Sequence, residues 1–200
     1  RTAVVGFGGV VKTSIGLIGV QAVCIEEESA GIVEGKENRA AYDLSRLGIP
    51  LVEIATAPEL KSGKEAQEAA LAIGKLLRKT GLVQRGIGSI RQDLNISIPD
   101  GARVEIKGVQ DLAMIEKTVE TEVKRQEKLL EISEEAKKRL AGKTIAPLFV
   151  DLTEVFSQTA SALVSKSIKN GGRLLGMKLD DYASLLGKEI APNRRFGTEL

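Results

Sequence analysis

The amino-acid sequence predicts an α+β protein, and three patterns support that class. Residues 3–25 are rich in Val, Ile and Leu between repeated glycines, which is typical of strands joined by tight turns. Residues 62–80 and 109–131 carry apolar side chains at helical spacing. Between these helices, residues 89–107 alternate between apolar and polar side chains, as the strands of a β-hairpin do.

The composition excludes several classes of function. Hydrophobic residues make up 42% of the 200 residues, which is enough for a core and argues against a disordered chain. The 29 Lys and Arg nearly balance the 27 Asp and Glu, so net charge alone does not capture nucleic acid. An aromatic content of 3% disfavours a base-stacking platform. With no His, the chain lacks Ser-His and Cys-His nucleophile pairs, so its acid–base or metal chemistry must use carboxylates, Lys and Arg.

Two features bear on the cellular compartment. The single cysteine, Cys24, cannot form an internal disulfide, which fits the reducing cytoplasm. The apolar stretch of residues 4–25 is interrupted too often by glycine and polar side chains to span a membrane. It also lacks the basic leader and cleavage site of a signal peptide. We therefore expect a cytoplasmic protein with no membrane contact.

The first glycine cluster, Gly6 to Thr13, has some features of a phosphate-binding loop. That loop needs glycine immediately before its lysine, and Val11 stands before Lys12 here. We therefore expect a glycine-rich turn between two strands. Downstream, the sequence predicts a polar loop over residues 34–40 and a strand from Ile49 to Ile54.

Carboxylates stand at the ends of two of these strands. The run Glu26, Glu27 and Glu28 is either a solvated strand edge or a set of oxygen ligands for magnesium. Glu53 lies inside an apolar strand and shares a face with Leu51. A buried carboxylate there would need a charged partner or a metal ion.

The first helix has clear ends, because Ser62 and Glu65 form a capping box and Gly81 supplies a C-terminal stop. In the hairpin that follows, a Pro99-Asp100-Gly101 turn separates two strands, each with one apolar and one polar face. The polar face is either a salt-bridged surface or a site that offers cations to phosphate and acids to a metal. It carries Arg91, Asp93, Asn95, Arg103, Glu105 and Lys107.

Beyond a linker near residues 141–143, the sequence of the tail predicts a strand, a helix, a glycine turn and a strand. The turn is Asn170-Gly171-Gly172. A basic patch on the tail could bind RNA through local charge. Its members are Lys166, Lys169, Arg173, Arg194 and Arg195.

Four blocks of this sequence, residues 24–31, 47–58, 88–98 and 101–110, resemble consecutive blocks of the GatB/GatE family of glutamyl-tRNA(Gln) amidotransferases, and the archaeal GatE group in particular. In the tail, residues 150–156, 187–190 and 194–199 resemble the inserted domain that GatE proteins share with bacterial-type aspartyl-tRNA synthetases. The resemblance implies part of a catalytic domain over residues 1–143, similar to the glutamine synthetase and guanidino kinase fold. Residues 144–200 would be part of the inserted α+β domain.

The resemblance also implies an activity. The family phosphorylates the glutamate side chain of Glu-tRNA(Gln) with ATP and Mg²⁺, and ammonia then displaces phosphate to give Gln-tRNA(Gln). The ammonia comes from an asparaginase-like amidase partner, which implies a heterotetramer when the assembly is complete. Glu27, Glu28 and Glu53 would be metal ligands, and Glu53, Arg91 and Lys107 would be catalytic. Nucleotide contacts would come from Arg91, Asp93, Asn95, Glu105 and Lys107, and tRNA contacts from Lys166, Arg173, Arg194 and Arg195.

Some features of the family have no match here, including its first metal-binding block and its C-terminal helical region. We therefore expect the 200 residues alone to be inactive. Three other hypotheses stay open at this point: a non-catalytic tRNA-binding module built around the tail, an interaction fragment whose segment 3–25 pairs with a partner, and a small-molecule phosphotransferase of related fold.

Overall fold

The structure is a computed structural model that describes residues 2–36, 39–86, 88–143 and 148–200. Within these ranges the chain mixes helices with small antiparallel sheets, as the sequence predicts. None of the described helices is long and apolar enough to cross a membrane.

The largest sheet has three strands, β1 (Ala3–Thr13), β2 (Gly16–Glu27) and β5 (Pro50–Thr56), in the order β1-β2-β5. The prediction of a turn within Gly6–Thr13 is wrong, because all of these residues lie inside β1. The chain reverses instead at residues 14–15, where Thr13 pairs with Gly16. Gly8 has a φ of 64°, a backbone conformation that glycine adopts without strain. A register shift between Val4 and Gly6 also makes the strand irregular, and such irregularity resembles a turn signal.

A second hairpin joins β2 to β5. It consists of β3 (Gly31–Lys36) and β4 (Arg39–Asp43), paired antiparallel. The predicted polar loop over residues 34–40 is therefore wrong where it overlaps these strands, and residues 37–38 lie outside the described part of the chain. The glycine and charged residues favoured a loop, but pairing between the two segments supplies backbone hydrogen bonds that propensity does not reveal.

The first helix, α1 (Gly63–Thr80), confirms the predicted ends. The Ser62 hydroxyl accepts from the Glu65 amide at 3.2 Å, and Gly81 closes the helix at a φ of 73°. Gly63 is required by packing, because a Cβ there would lie 2.7 Å from the backbone oxygen of Glu116. This close approach holds the start of α1 against the chain that follows the hairpin.

The hairpin itself is shorter than predicted. Its strands are β6 (Leu94–Ile96) and β7 (Val104–Ile106), with Asn95 opposite Glu105. Residues 89–93, predicted as strand, precede β6 without strand pairing of their own. The predicted turn is present, since the Gly101 amide donates to the Ile98 oxygen at 3.0 Å.

The second helix, α2 (Leu112–Leu140), ends nine residues beyond the predicted limit of 131. The tail then follows the predicted order of strand, helix, glycine turn and strand, and two further short strands come after it. It contains β8 (Phe149–Asp151), α3 (Ala162–Lys169), β9 (Leu175–Met177), β10 (Glu189–Ala191) and β11 (Arg194–Arg195), with a short 3₁₀ turn at Phe196–Thr198. β8 pairs with β9, and β10 pairs with β11.

The chain forms two compact units, and each has its own core. The first comprises residues 1–96 and 103–121, and its buried side chains include Ile18, Ala69 and Ile115. The second comprises residues 97–102 and 122–200, with a core around Ile132 and Leu185. The compact units thus divide within α2. The domain boundary at residue 143 was drawn from the sequence resemblance, not from contacts in the fold, and it stays a prediction.

Candidate functional site

The candidate site begins at the end of β2, where strand register decides which carboxylates can act together. Cys24 stands opposite Glu53, and Glu26 stands opposite Leu51. Because directly paired residues point to the same side of a sheet, Glu26 and Glu53 share one face with Leu51. Glu27, which stands opposite Pro50, lies on the other face.

This register confirms that Glu53 shares a face with Leu51 but overturns the expectation of a buried carboxylate. Glu53 is exposed, so burial does not compel it to take a metal ion or a charged partner. Sequence alternation gives the face of a residue, whereas burial depends on what covers that face.

The register also revises the acidic set. Predicted ligands Glu27 and Glu53 lie on opposite faces, so the structure does not bring them together. Glu26, absent from the predicted set, is the neighbour of Glu53 on the shared face, and its Oε1 accepts from the Thr2 hydroxyl at 2.7 Å. Diagonal neighbours in an antiparallel pair are roughly 7–8 Å apart, within reach of two long side chains. The sequence carried no signal for Glu26, because the β2 residue that lies beside Glu53 is set by the register between two separate strands.

Glu28 follows β2 and faces two guanidinium groups. Arg91 donates to its Oε2 at 2.8 Å, and Arg46 lies 3.4 Å from the same oxygen. Backbone bonds hold Glu28 in place, because its amide donates to the Ile49 oxygen at 2.9 Å and its carbonyl accepts from the Gly48 amide at 3.0 Å. The structure therefore joins two predicted site residues, Glu28 and Arg91, that are far apart in sequence.

The polar face of the hairpin is exposed, as predicted, and Asn95 and Glu105 stand opposite each other on it. Lys107 lies 3.5 Å from Glu105. Asp93 has a structural contact, because its Oδ1 accepts from the Gly108 amide at 2.9 Å and extends the hairpin past β7. Lys107 is partly neutralised by Glu105, whereas Arg103, predicted on the same polar face, is exposed and forms no ion pair with a described residue.

A complete metal cage is absent from the described residues. Across residues 2–36, 39–86, 88–143 and 148–200, no three Cys, Asp or Glu side chains converge as ligands. Magnesium, however, is commonly held by one or two carboxylates together with substrate phosphates. Glu26 and Glu53 on one face fit that pattern better than the predicted set of Glu27, Glu28 and Glu53.

The predicted basic patch lies in the second unit, and its members differ in charge pairing. Arg173 is held by Asp151, with its Nη2 2.7 Å from the carboxylate, and Arg194 lies 2.7 Å from Glu199. Lys166, Lys169 and Arg195 make no ion pair within the described chain. The cations most available to phosphate are therefore Lys166 and Lys169, both on α3, and Arg195.

Comparisons with known proteins identify the family. The family model described as the GatB/GatE catalytic domain matches residues 4–182. The chain belongs to the GatB/GatE family. Curated relatives, each named as the E subunit of glutamyl-tRNA(Gln) amidotransferase, match the whole chain, with 48% identity in Thermococcus sibiricus, 48% in Methanocaldococcus jannaschii and 47% in Haloarcula marismortui.

Each of these alignments covers 100% of this chain but 32% of the relative. The chain thus spans about a third of the length of the curated relatives that it matches. Membership of the GatB/GatE family confirms the resemblance drawn from the four sequence blocks.

Proposed function

We propose that this chain forms part of a GatE protein that activates the glutamate side chain on mischarged Glu-tRNA(Gln) and converts it to glutamine. The observation that carries the proposal is similarity over the entire chain to proteins named for this amidotransferase. The contact between Arg91 and Glu28 supports it, because it places the hairpin segment next to the acidic end of β2 within one compact unit.

The proposed chemistry has two steps. A carboxylate oxygen of the glutamate side chain attacks the γ-phosphorus of ATP, the bond to the bridging oxygen breaks, and ADP leaves. Ammonia then attacks the acyl phosphate carbon, phosphate departs with the bonding electrons, and the nitrogen loses a proton to give the amide. Phosphoryl transfer of this kind depends mostly on positioning and on neutralising charge.

The residues of the first unit have distinct roles in this proposal. Arg91 and Lys107 are the cations that would contact phosphate oxygens, and Asn95 is a nearby neutral hydrogen-bonding group. Glu26 and Glu53 would hold Mg²⁺ together with the nucleotide, where the ion would neutralise phosphate charge. Glu28 would orient the Arg91 guanidinium, because it holds one of its nitrogens at 2.8 Å.

The assembly around the chain is part of the same proposal. Ammonia would come from an asparaginase-like amidase partner, the substrate would be tRNA(Gln) charged with glutamate, and the complex would be a cytoplasmic heterotetramer. The inserted domain over residues 144–200 would contribute tRNA contacts through its unpaired cations.

The experiment that tests this function uses the chain extended to its natural ends, with its amidase partner. ATP-dependent conversion of Glu-tRNA(Gln) to Gln-tRNA(Gln) is measured for the wild type, Glu53→Gln and Glu27→Gln. We expect Glu53→Gln to lose conversion with tRNA binding intact, while Glu27→Gln, which faces the other side of the sheet, keeps it. No conversion by the wild-type assembly would refute the function, whereas unchanged conversion by Glu53→Gln would refute only the assignment of Glu53.

A further inference from the structure

A polar cleft of about 270 Å³ lies in the first unit, and its lining includes none of the carboxylates at the end of β2. Helix α1 supplies one wall through Leu71, Gly74 and Arg78. The rest of the lining includes Gln92, which precedes β6, and Asp111, which precedes α2. All of these residues belong to one compact unit, so the cleft is a feature of that unit by itself.

The first observation that points to a ligand in this cleft is the glycine at position 74 of α1. Glycine inside a helix costs about 1 kcal/mol relative to alanine. Gly63 in the same helix is needed because a Cβ would meet the backbone of Glu116, but a Cβ on Gly74 would meet nothing within 4 Å. Packing within the described chain therefore gives no reason for glycine at position 74, and a larger side chain there would occupy the cleft.

Gln92 is the second sign. It is partly buried, as Ile90 and Leu94 are, whereas Arg91 and Asp93 are exposed. The side-chain oxygen of Gln92 is buried and accepts no hydrogen bond from any described residue. An unmet buried acceptor costs roughly 1–3 kcal/mol, so a Gln92 rotamer that turns this oxygen towards a donor in the cleft would be stabilised.

The charges at the cleft are the third sign. Arg78 and Asp111 line the same space, yet neither forms an ion pair within the part of the chain that the structure describes. One Asp111 oxygen accepts from the Ala113 amide at 2.9 Å, which leaves the other for a further donor. Two opposite charges that face one cleft without pairing match a ligand that carries both signs.

We propose that this cleft binds a small zwitterion of the size of a free α-amino acid. Its carboxylate would contact Arg78, its ammonium group would contact Asp111, and a further N–H would satisfy the Gln92 oxygen. The volume is just below the range of about 300–1,000 Å³ of drug-sized ligand pockets, which favours an amino acid over a nucleotide. None of the lining residues is assigned to the proposed phosphoryl-transfer site, and the inference does not depend on the proposed activity.

The experiment measures binding to the chain extended to its natural ends, without ATP, tRNA or the amidase partner. The standard L-amino acids are screened by thermal shift in the millimolar range, and positives are measured by calorimetry. Propylamine and propionate, each with one of the two charges, serve as ligand controls. We expect at least one amino acid to raise the Tm. Each single-charge compound should bind at least about ten times more weakly than that amino acid.

Variants then locate the site. Gly74→Leu, which fills the cleft, should abolish binding, while Lys75→Leu on the exposed neighbouring position should leave it unchanged. Arg78→Gln should weaken binding about tenfold or more, and Lys79→Gln should not. If Gly74→Leu fails to fold, Gly74→Ala should reduce affinity while raising thermal stability through helix propensity.

The inference is overturned if no standard amino acid binds the wild type, or if binding survives both Gly74→Leu and Arg78→Gln. It is also overturned if propylamine or propionate binds as tightly as the amino acid, because the cleft would then recognise only one of the two charged groups. If the wild-type assembly shows no amidation of Glu-tRNA(Gln) but the wild-type protein binds an amino acid, the proposed function is refuted and this inference stands.

Discussion

Glu26 and Glu53 lie on the same face of the three-stranded sheet, as diagonal neighbours across β2 and β5. Glu27, the residue between Glu26 and Glu28, points to the opposite face. Strand alternation therefore groups Glu26 with Glu53 and excludes Glu27 from the pair. Mutation of each of the three carboxylates can test this grouping.

The first prediction concerns that pair. In the complete assembly, Glu26→Gln and Glu53→Gln should each reduce ATP-dependent amidation of Glu-tRNA(Gln) at least about 100-fold, because each removes one charge from the face that would hold Mg²⁺. Glu27→Gln should change the rate less than about threefold, since its side chain lies on the other face. The measurement is single-turnover conversion with saturating ATP over a range of Mg²⁺ concentrations. Equal losses for all three variants would contradict a role set by strand parity.

How far the sequence predicted this site depends on the residue. Alternation in a strand gave the polar face of the hairpin correctly, because Asn95 and Glu105 pair there without help from distant segments. The capping box at Ser62 was equally local and was confirmed.

Other features depend on contacts that no local pattern encodes. The bond from Arg91 to Glu28 joins residues 63 positions apart in the chain, so no local spacing could reveal it. The β3–β4 hairpin was missed because its pairing overrides the loop propensity of its glycine and charged residues. The exposure of Glu53 was missed since burial depends on which surfaces cover the sheet.

The second prediction separates function from stability at Arg91. Arg91 is half-exposed, with 45% of its side chain accessible, so its ion pair with Glu28 should contribute less than about 1 kcal/mol to stability. Arg91→Gln should therefore leave the urea midpoint nearly unchanged and yet lower the amidation rate at least about tenfold through loss of a phosphate contact. Arg46→Gln is the matched control, because Arg46 contacts the same carboxylate at 3.4 Å. A large fall in the urea midpoint of Arg91→Gln would show a structural role instead.

The third prediction concerns a buried polar network in the second unit. Glu122 accepts from Arg125 Nε at 2.8 Å and from Gln126 Nε2 at 2.8 Å, and Gln126 in turn accepts from the Ile98 amide at 3.3 Å. Arg125→Met would leave the Glu122 carboxylate buried without its cation, at a cost of about 3–5 kcal/mol. Urea unfolding and hydrogen exchange along α2 should both detect this loss.

A second substitution tests whether the stability lost in Arg125→Met comes from the unpaired charge of Glu122. The double variant Glu122→Leu with Arg125→Met should recover much of the lost stability, because replacing a buried ion pair with apolar groups is often neutral. The exposed pair of Lys128 and Glu131 on the same helix is the control, and Lys128→Met should cost less than about 1 kcal/mol. No recovery in the double variant would mean that the charges themselves are required.

The fourth prediction is a pH dependence at Asp151. Hydrogen bonds from Thr153 and the charged contact with Arg173 lower the pKa of Asp151 from 3.8 to about 2. Because the folded pKa lies below the ordinary value, the stabilisation is fully present above about pH 4 and is lost as the pH falls towards 2. A carboxyl titration of Asp151 by NMR should show this midpoint, and Thr153→Ala should raise it. A midpoint near 3.8 in the wild type would contradict the contacts of Asp151 with Thr153 and Arg173.

The fifth prediction concerns tRNA contacts of the second unit. Lys166 and Arg195 make no ion pair within the described chain, whereas Arg173 and Arg194 are held by Asp151 and Glu199. Each phosphate contact contributes about 0.9 to the slope of log affinity against log salt concentration for duplex nucleic acid. Lys166→Gln and Arg195→Gln should each lower that slope by up to about one for the complete protein binding tRNA(Gln).

The paired arginines are the control for this prediction. Arg173→Gln and Arg194→Gln should change the salt slope less, because a guanidinium already paired with a carboxylate brings little net charge to phosphate. Filter binding across several salt concentrations gives the four slopes. If the paired arginines lower the slope as much as Lys166 and Arg195 do, the ion pairs must open when tRNA binds, and the charge pairing in the free chain would not determine which cations contact RNA.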